Sequence, residues 1–286
     1  MSSLKTYLTL CRAWISIFAA ASAATGYFLA PHHRIAGVFP AVSAVFLLAC
    51  GASALNQYQE RDIDARMERT RTRPLPSGSM TASHASALSC ALVLAGLALL
   101  AYACGTKAAF LGLFALLWYN GIYTHLKKMT AFAAVPGAAV GMVPPAIGWV
   151  SAGGDMIDPR LAAVCFLFFL WQIPHFWLLL LNHGEEYKQA GLPSLTGVMS
   201  RPQIARVTFI WILAAAIASL SLPLYGSMRS PGFYLLLVPC AGWLIWNGRV
   251  LLGKGPEKSL SPVLFKKINI YLLLIMSLLS LENILS

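Results

Sequence analysis

Long apolar runs separated by short polar breaks fill the chain from end to end. A helix needs roughly 20 mostly apolar residues to cross a bilayer. Nine stretches meet that need: 13–30, 36–55, 84–104, 108–125, 132–150, 160–181, 204–224, 232–252 and 267–284. The pattern predicts an all-α, polytopic membrane protein, a nine-transmembrane-helix bundle forming one integral-membrane domain over 1–286. Composition agrees, with 58% hydrophobic residues, 11% charged residues and a mean hydropathy of +0.69, values that exclude an ordinary soluble domain. The first run follows Lys5 and Arg12 and is rich in Ala and Ser, like a cleaved signal sequence. Eight similar runs come after it, so it reads as a retained span.

Two polar breaks are long and built alike. Residues 56–83 continue the second helix and end in Arg73-Pro74-Leu75-Pro76, where the prolines stop it. Residues 182–203 hold an acidic helix end, then Ala190-Gly191-Leu192-Pro193, then a polar turn. Two such cassettes four helices apart point to an internal pseudo-repeat. Pro144-Pro145 with Gly148-Trp149 predicts a kink or break inside the fifth run.

A net charge of +11 invites a nucleic-acid reading, but the basic residues gather in alternate loops. With the N-terminus in the cytoplasm, all but four of the 21 Lys and Arg fall on that side; the exceptions are Arg34, Lys107, Arg160 and Arg229. This is the positive-inside bias of a membrane protein, and no nucleic-acid partner is expected. The C-terminus, after an odd number of spans, lies outside. Both polar cassettes and Lys127 share the cytoplasmic face, where a polar pocket opens. The six cysteines are scattered singly through apolar segments and read as small buried side chains.

Six of the ten acidic residues, counting Glu68, sit in the two cassettes beside segments where an ionised oxygen is costly. In a helix, residues four apart share a face, so Asn56, Glu60 and Asp64 point one way and Asp62 nearly the opposite way. Glu60 and Asp64 facing Asn182 and Glu186 across a gap form an oxygen clamp for Mg²⁺, which bridges a few carboxylates to a substrate phosphate. The same residues also fit a solvated helix end, given the interleaved Arg61, Arg66 and Arg69. Arg12, Arg69, Arg73 and Lys127 on the same face suit a diphosphate. Tyr123, four residues before Lys127, is placed to reach the same oxygens. Trp171-Gln172-Ile173-Pro174-His175-Phe176-Trp177 puts polar groups at membrane depth and reads as pocket wall, with ring faces able to stabilise a carbocation.

Asn56-Gln57-Tyr58-Gln59-Glu60-Arg61-Asp62-Ile63-Asp64, Met67-Glu68-Arg69-Thr70, Arg73-Pro74-Leu75-Pro76, Pro174-His175-Phe176-Trp177 and Glu186-Tyr187 together resemble the protoheme IX farnesyltransferases, or heme O synthases. These are a branch of the intramembrane UbiA-type prenyltransferase superfamily. The resemblance runs from the first helix to about residue 200; beyond that only the hydropathy agrees. It implies a Mg²⁺-dependent enzyme of the bacterial cytoplasmic (inner) membrane, bathed in membrane lipid, that uses farnesyl diphosphate and heme B and releases diphosphate. It assigns metal and catalytic roles to Asn56, Glu60, Asp64 and Glu186, and diphosphate contacts to Arg12, Arg69, Arg73, Tyr123 and Lys127, with Lys127 also counted as catalytic. His175 and Trp171 become heme contacts, His175 as an axial ligand or orienting group. Contact with heme-copper oxidase assembly proteins is a further expectation. Glu60 and Glu186 stand where the family usually has aspartate, and the alternatives are a UbiA-type enzyme for an aromatic or quinone-precursor acceptor and, from another class, a cation-coupled transporter.

Overall fold

The computed structural model describes residues 3–228, 230–253 and 260–285. Arg229, Lys254 and Lys258, three of the charges used for orientation, lie outside the described residues. The described chain is helical: α1 (Leu4–Leu10), α2 (Ala13–Leu29), α3 (Val38–Asp64), α4 (Ala82–Leu99), α5 (Thr106–Leu116), α6 (Thr124–Leu126), α7 (Ala134–Gly137), α8 (Val143–Ser151), α9 (Pro159–Gln189), α10 (Arg201–Ser221), α11 (Pro231–Gly248) and α12 (Leu260–Leu285).

The nine-span expectation holds only approximately. Seven helical segments among the described residues are long and apolar enough to cross a membrane, or eight if the bent pair α1 and α2 counts as one span. The stretch from α5 to α6 is not among the seven. Its second half carries Tyr119, Asn120, Tyr123 and Thr124 and widens into π-helical turns over Leu117–Tyr123. Such turns gather at functional sites, and here they face the acidic motif. The fifth run carries the expected break. It breaks into α7, a 3₁₀ stretch over Ala138–Met142, and α8, so Pro144 and Pro145 start a helix, where their missing N–H groups cost nothing.

Local sequence sets the other boundaries. Asp158 accepts from the Arg160 amide at 2.8 Å with Pro159 next in line, and Ser200 with Gln203 closes a capping box before α10. Lipid gives helices no hydrophobic reason to associate, so close backbone approach and hydrogen bonds hold the bundle. α2 packs on α3, α8 and α12, α3 on α4, and α9 on α10 and α12. A side chain on Gly26 would overlap the Pro145 backbone, and one on Gly148 the Ala23 carbonyl, so these two glycines bring α2 and α8 together. Trp149, Ile147, Leu167, Ile173 and Tyr271 fill the centre, while Trp14, Tyr102, Phe110 and Ile157 stay exposed on the perimeter, as a lipid-facing surface requires.

Candidate active site

α3 runs on past its apolar part for a physical reason: its polar end is buried by other elements. Asn56, Glu60 and Asp64 are at most 5% exposed, whereas the Asp62 side chain on the opposite face is 81% exposed. The helix ends at Asp64, whose carbonyl accepts from the Thr70 hydroxyl at 2.8 Å. Turns over 65–80 then fold back along the helix. Gln57 donates to the Thr9 and Leu10 carbonyls at 2.8 and 2.9 Å, which fixes α1 across this end.

Every acidic side chain expected to act meets a donor. Arg73 Nη1 lies 2.7 Å from both Asp64 carboxylate oxygens, and Lys127 forms an ion pair with Glu60. Glu186 accepts from the Arg69 backbone amide at 3.2 Å and lies 3.0 Å from His183 Nδ1. The first of those bonds ties the two acidic motifs together. Glu186 is partly buried and its neighbour Glu185 is exposed. Asn56 accepts from Arg12 Nη2 at 3.1 Å and donates to Thr124 at 3.0 Å, while Arg12 Nη1 donates to the Tyr119 hydroxyl at 3.2 Å. Burial pulls the Lys127 ammonium below its ordinary value, and Glu60 opposes that fall. Arg73 is lowered by burial first, then by Arg12, with Asp64 opposing.

A column of rings leads from the charged end into the bundle. Lys127 Nζ sits 5.5 Å from the Tyr123 ring centroid. Tyr123 stacks on Tyr119 and on Phe176, each at 5.9 Å. Phe176 meets His175 at 5.7 Å, His175 meets Trp171 at 4.8 Å, and Trp171 stacks on Phe18 at 5.6 Å. Trp171 is buried and donates to the Ile268 carbonyl at 2.8 Å. Thr124, Tyr119, His183 and Asn269 are functional neighbours that the sequence does not single out. His183 follows Asn182 and Tyr119 precedes Tyr123 by one turn, so both carry a signal; Asn269 carries none.

Donor chemistry at this end suits a hard cation. Glu60, Asp64, Asn182 and Glu186 offer oxygen, and the buried Asn182 Oδ1 has no hydrogen-bond partner among the described residues. Among those residues no three His, Cys, Asp or Glu side chains converge on a point. The oxygen donors fit a hard cation such as Mg²⁺, which is held through one or two carboxylates together with phosphate and water.

The UbiA prenyltransferase family matches residues 13–271. A protoheme IX farnesyltransferase of Geobacter sulfurreducens is 42% identical over 221 residues, covering 77% of this chain and 82% of that protein. A second, from Nitratidesulfovibrio vulgaris, is 37% identical over 241 residues, 84% of each chain. Among solved structures, one of a digeranylgeranylglyceryl phosphate synthase in membranes superposes over 100% of both chains with a TM-score of 0.78 at 20% identity. A UbiA homolog from Archaeoglobus fulgidus bound to GPP and Mg²⁺ gives 0.69 at 15% identity, over 96% of this chain and 98% of that one. At such identities the structures establish the fold alone.

Proposed function

Because this chain belongs to the UbiA prenyltransferase family, we propose that it transfers the farnesyl group of farnesyl diphosphate to a vinyl group of protoheme IX, with addition of water. The product is heme O, with diphosphate released. The observation that carries the site assignment is the bond from the Arg69 amide to Glu186, which draws both acidic motifs to one mouth above the ring column.

Glu60, Asp64, Asn182 and Glu186, together with Asn56, would hold Mg²⁺, and the bound ion would supply positive charge that offsets the charge growing on the departing diphosphate. The chain's own cations do the same work: Arg12, Arg69, Arg73 and Lys127 bind the diphosphate oxygens, and Tyr123 lies against Lys127. As the C1–O bond breaks, its electron pair stays on diphosphate and the farnesyl unit becomes an allylic cation. Tyr119, Tyr123 and Phe176 offer ring faces to that cation and keep water from it. The vinyl carbon of the porphyrin then bonds to C1, water adds to the cation left beside the ring, and a proton departs. No protein nucleophile is required. His175 and Trp171 contact the porphyrin, and the bias of basic residues to these loops supports a mouth on the cytoplasmic side of a bacterial inner membrane.

Purified protein given farnesyl diphosphate and heme B tests the reading by mass spectrometry. The expected product gains one farnesyl unit plus one water. Prenylation of hydroxybenzoate with no change in heme would overturn it.

A further inference from the structure

α12 brings Asn269 against His175, and the hydrogen bonds around the amide decide the state of the imidazole. His175 Nδ1 lies 2.9 Å from Asn269 Oδ1. Asn269 Nδ2 donates to the Phe265 carbonyl at 2.7 Å, one turn back on its own helix, so the amide oxygen is the atom that faces the ring. An amide oxygen only accepts, and Nδ1 therefore carries the hydrogen. The neutral ring then has its lone pair on Nε2.

That nitrogen is free to bind something. Nε2 has no hydrogen-bond partner among the described residues, and the side chain is half-buried, halfway along α9. Trp171, Phe176 and Phe265 box the imidazole, the last with centroids 4.7 Å apart. The bond from Trp171 to the Ile268 carbonyl fixes the register of α12 one residue from Asn269. One ring atom remains available, and its direction is set from behind.

We infer that Asn269 is a positioning residue that holds His175 as the Nδ1–H tautomer, with Nε2 presented to the iron of the acceptor porphyrin as an axial ligand. This rests on the reading of His175 as a porphyrin contact. An acceptor behind a ligating histidine orients it and raises its basicity. A neutral amide does so less strongly than a carboxylate, which suits an iron that must leave with the product after each turnover.

The test uses the full chain in detergent with ferrous heme B, following the iron–histidine stretching band by resonance Raman together with KM and kcat. In His175→Ala the band should vanish. Asn269→Leu should weaken or abolish it and raise KM for heme roughly 10–100-fold. Asn269→Asp should restore KM and move the band to higher frequency; should Asn269→Leu fail to fold, this shift decides. A band and KM unmoved in the Asn269 variants overturn the positioning role while leaving His175 as ligand. No histidine band in the unmodified protein, or one that survives His175→Ala, removes both.

Discussion

Arg73 places one guanidinium nitrogen 2.7 Å from each carboxylate oxygen of Asp64, with the two side chains only 16% and 5% exposed. Asp64 thus neutralises a buried cation, in addition to the metal-holding role proposed for it. Removing one partner of a buried pair leaves the other uncompensated, at about 3–5 kcal/mol. Asp64→Ala should lower thermal stability in detergent, and Asp64→Ala combined with Arg73→Ala should regain much of it. Both should lose turnover by at least ~100-fold. Near-normal activity in Asp64→Ala would remove the clamp from the mechanism.

Glu60 and Lys127 form the second such pair, and both are groups that a magnesium diphosphate would engage. Chelation by EDTA should stop the reaction and added Mg²⁺ should restore it. A chelated enzyme that keeps turning over would show that Lys127, Arg12, Arg69 and Arg73 activate the leaving group unaided.

Elements whose pattern lies in consecutive residues are legible in the sequence alone. The i, i+4 ladder of Asn56, Glu60 and Asp64 and the outward Asp62 follow from helical geometry, and the structure shows both. The sequence suggests that the two acidic motifs face one another, but the particular bonds between distant segments are not legible. Nothing in the spacing joins Arg69 to Glu186, 117 residues away, or His175 to Asn269, 94 residues away. The fourth run is apolar enough to suggest a span, but its polar second half, where the Asn120 amide donates to the Ala52 carbonyl at 3.0 Å, leaves it outside the seven long apolar segments. The break in the fifth run is legible in its proline pair, which marks a helix start as well as a kink.

Arg12 stands in the left-handed region at φ 44°, the one non-glycine residue to do so among those described. This conformation costs about 1–2 kcal/mol, and it turns the guanidinium to Asn56 and the Tyr119 hydroxyl. Arg12→Gly should relieve the strain that Arg12→Ala retains, so the glycine variant should melt higher than the alanine variant. Both should show a raised KM for farnesyl diphosphate. Equal melting temperatures would mean that the backbone at this junction is unstrained.

Tyr123 separates two ways of serving the reaction. Its ring lies between Lys127, at 5.5 Å, and Phe176, at 5.9 Å, while its hydroxyl forms no hydrogen bond among the described residues. A cation over a ring contributes about 0.5–2 kcal/mol, which corresponds to roughly 2–30-fold in rate. Tyr123→Phe should therefore stay close to the unmodified kcat, because the ring remains. Tyr123→Leu should fall by that factor, since it loses both the lysine contact and a face for the allylic cation. If the phenylalanine variant drops as far as the leucine variant, the hydroxyl is the working group and Tyr123 acts on the diphosphate oxygens.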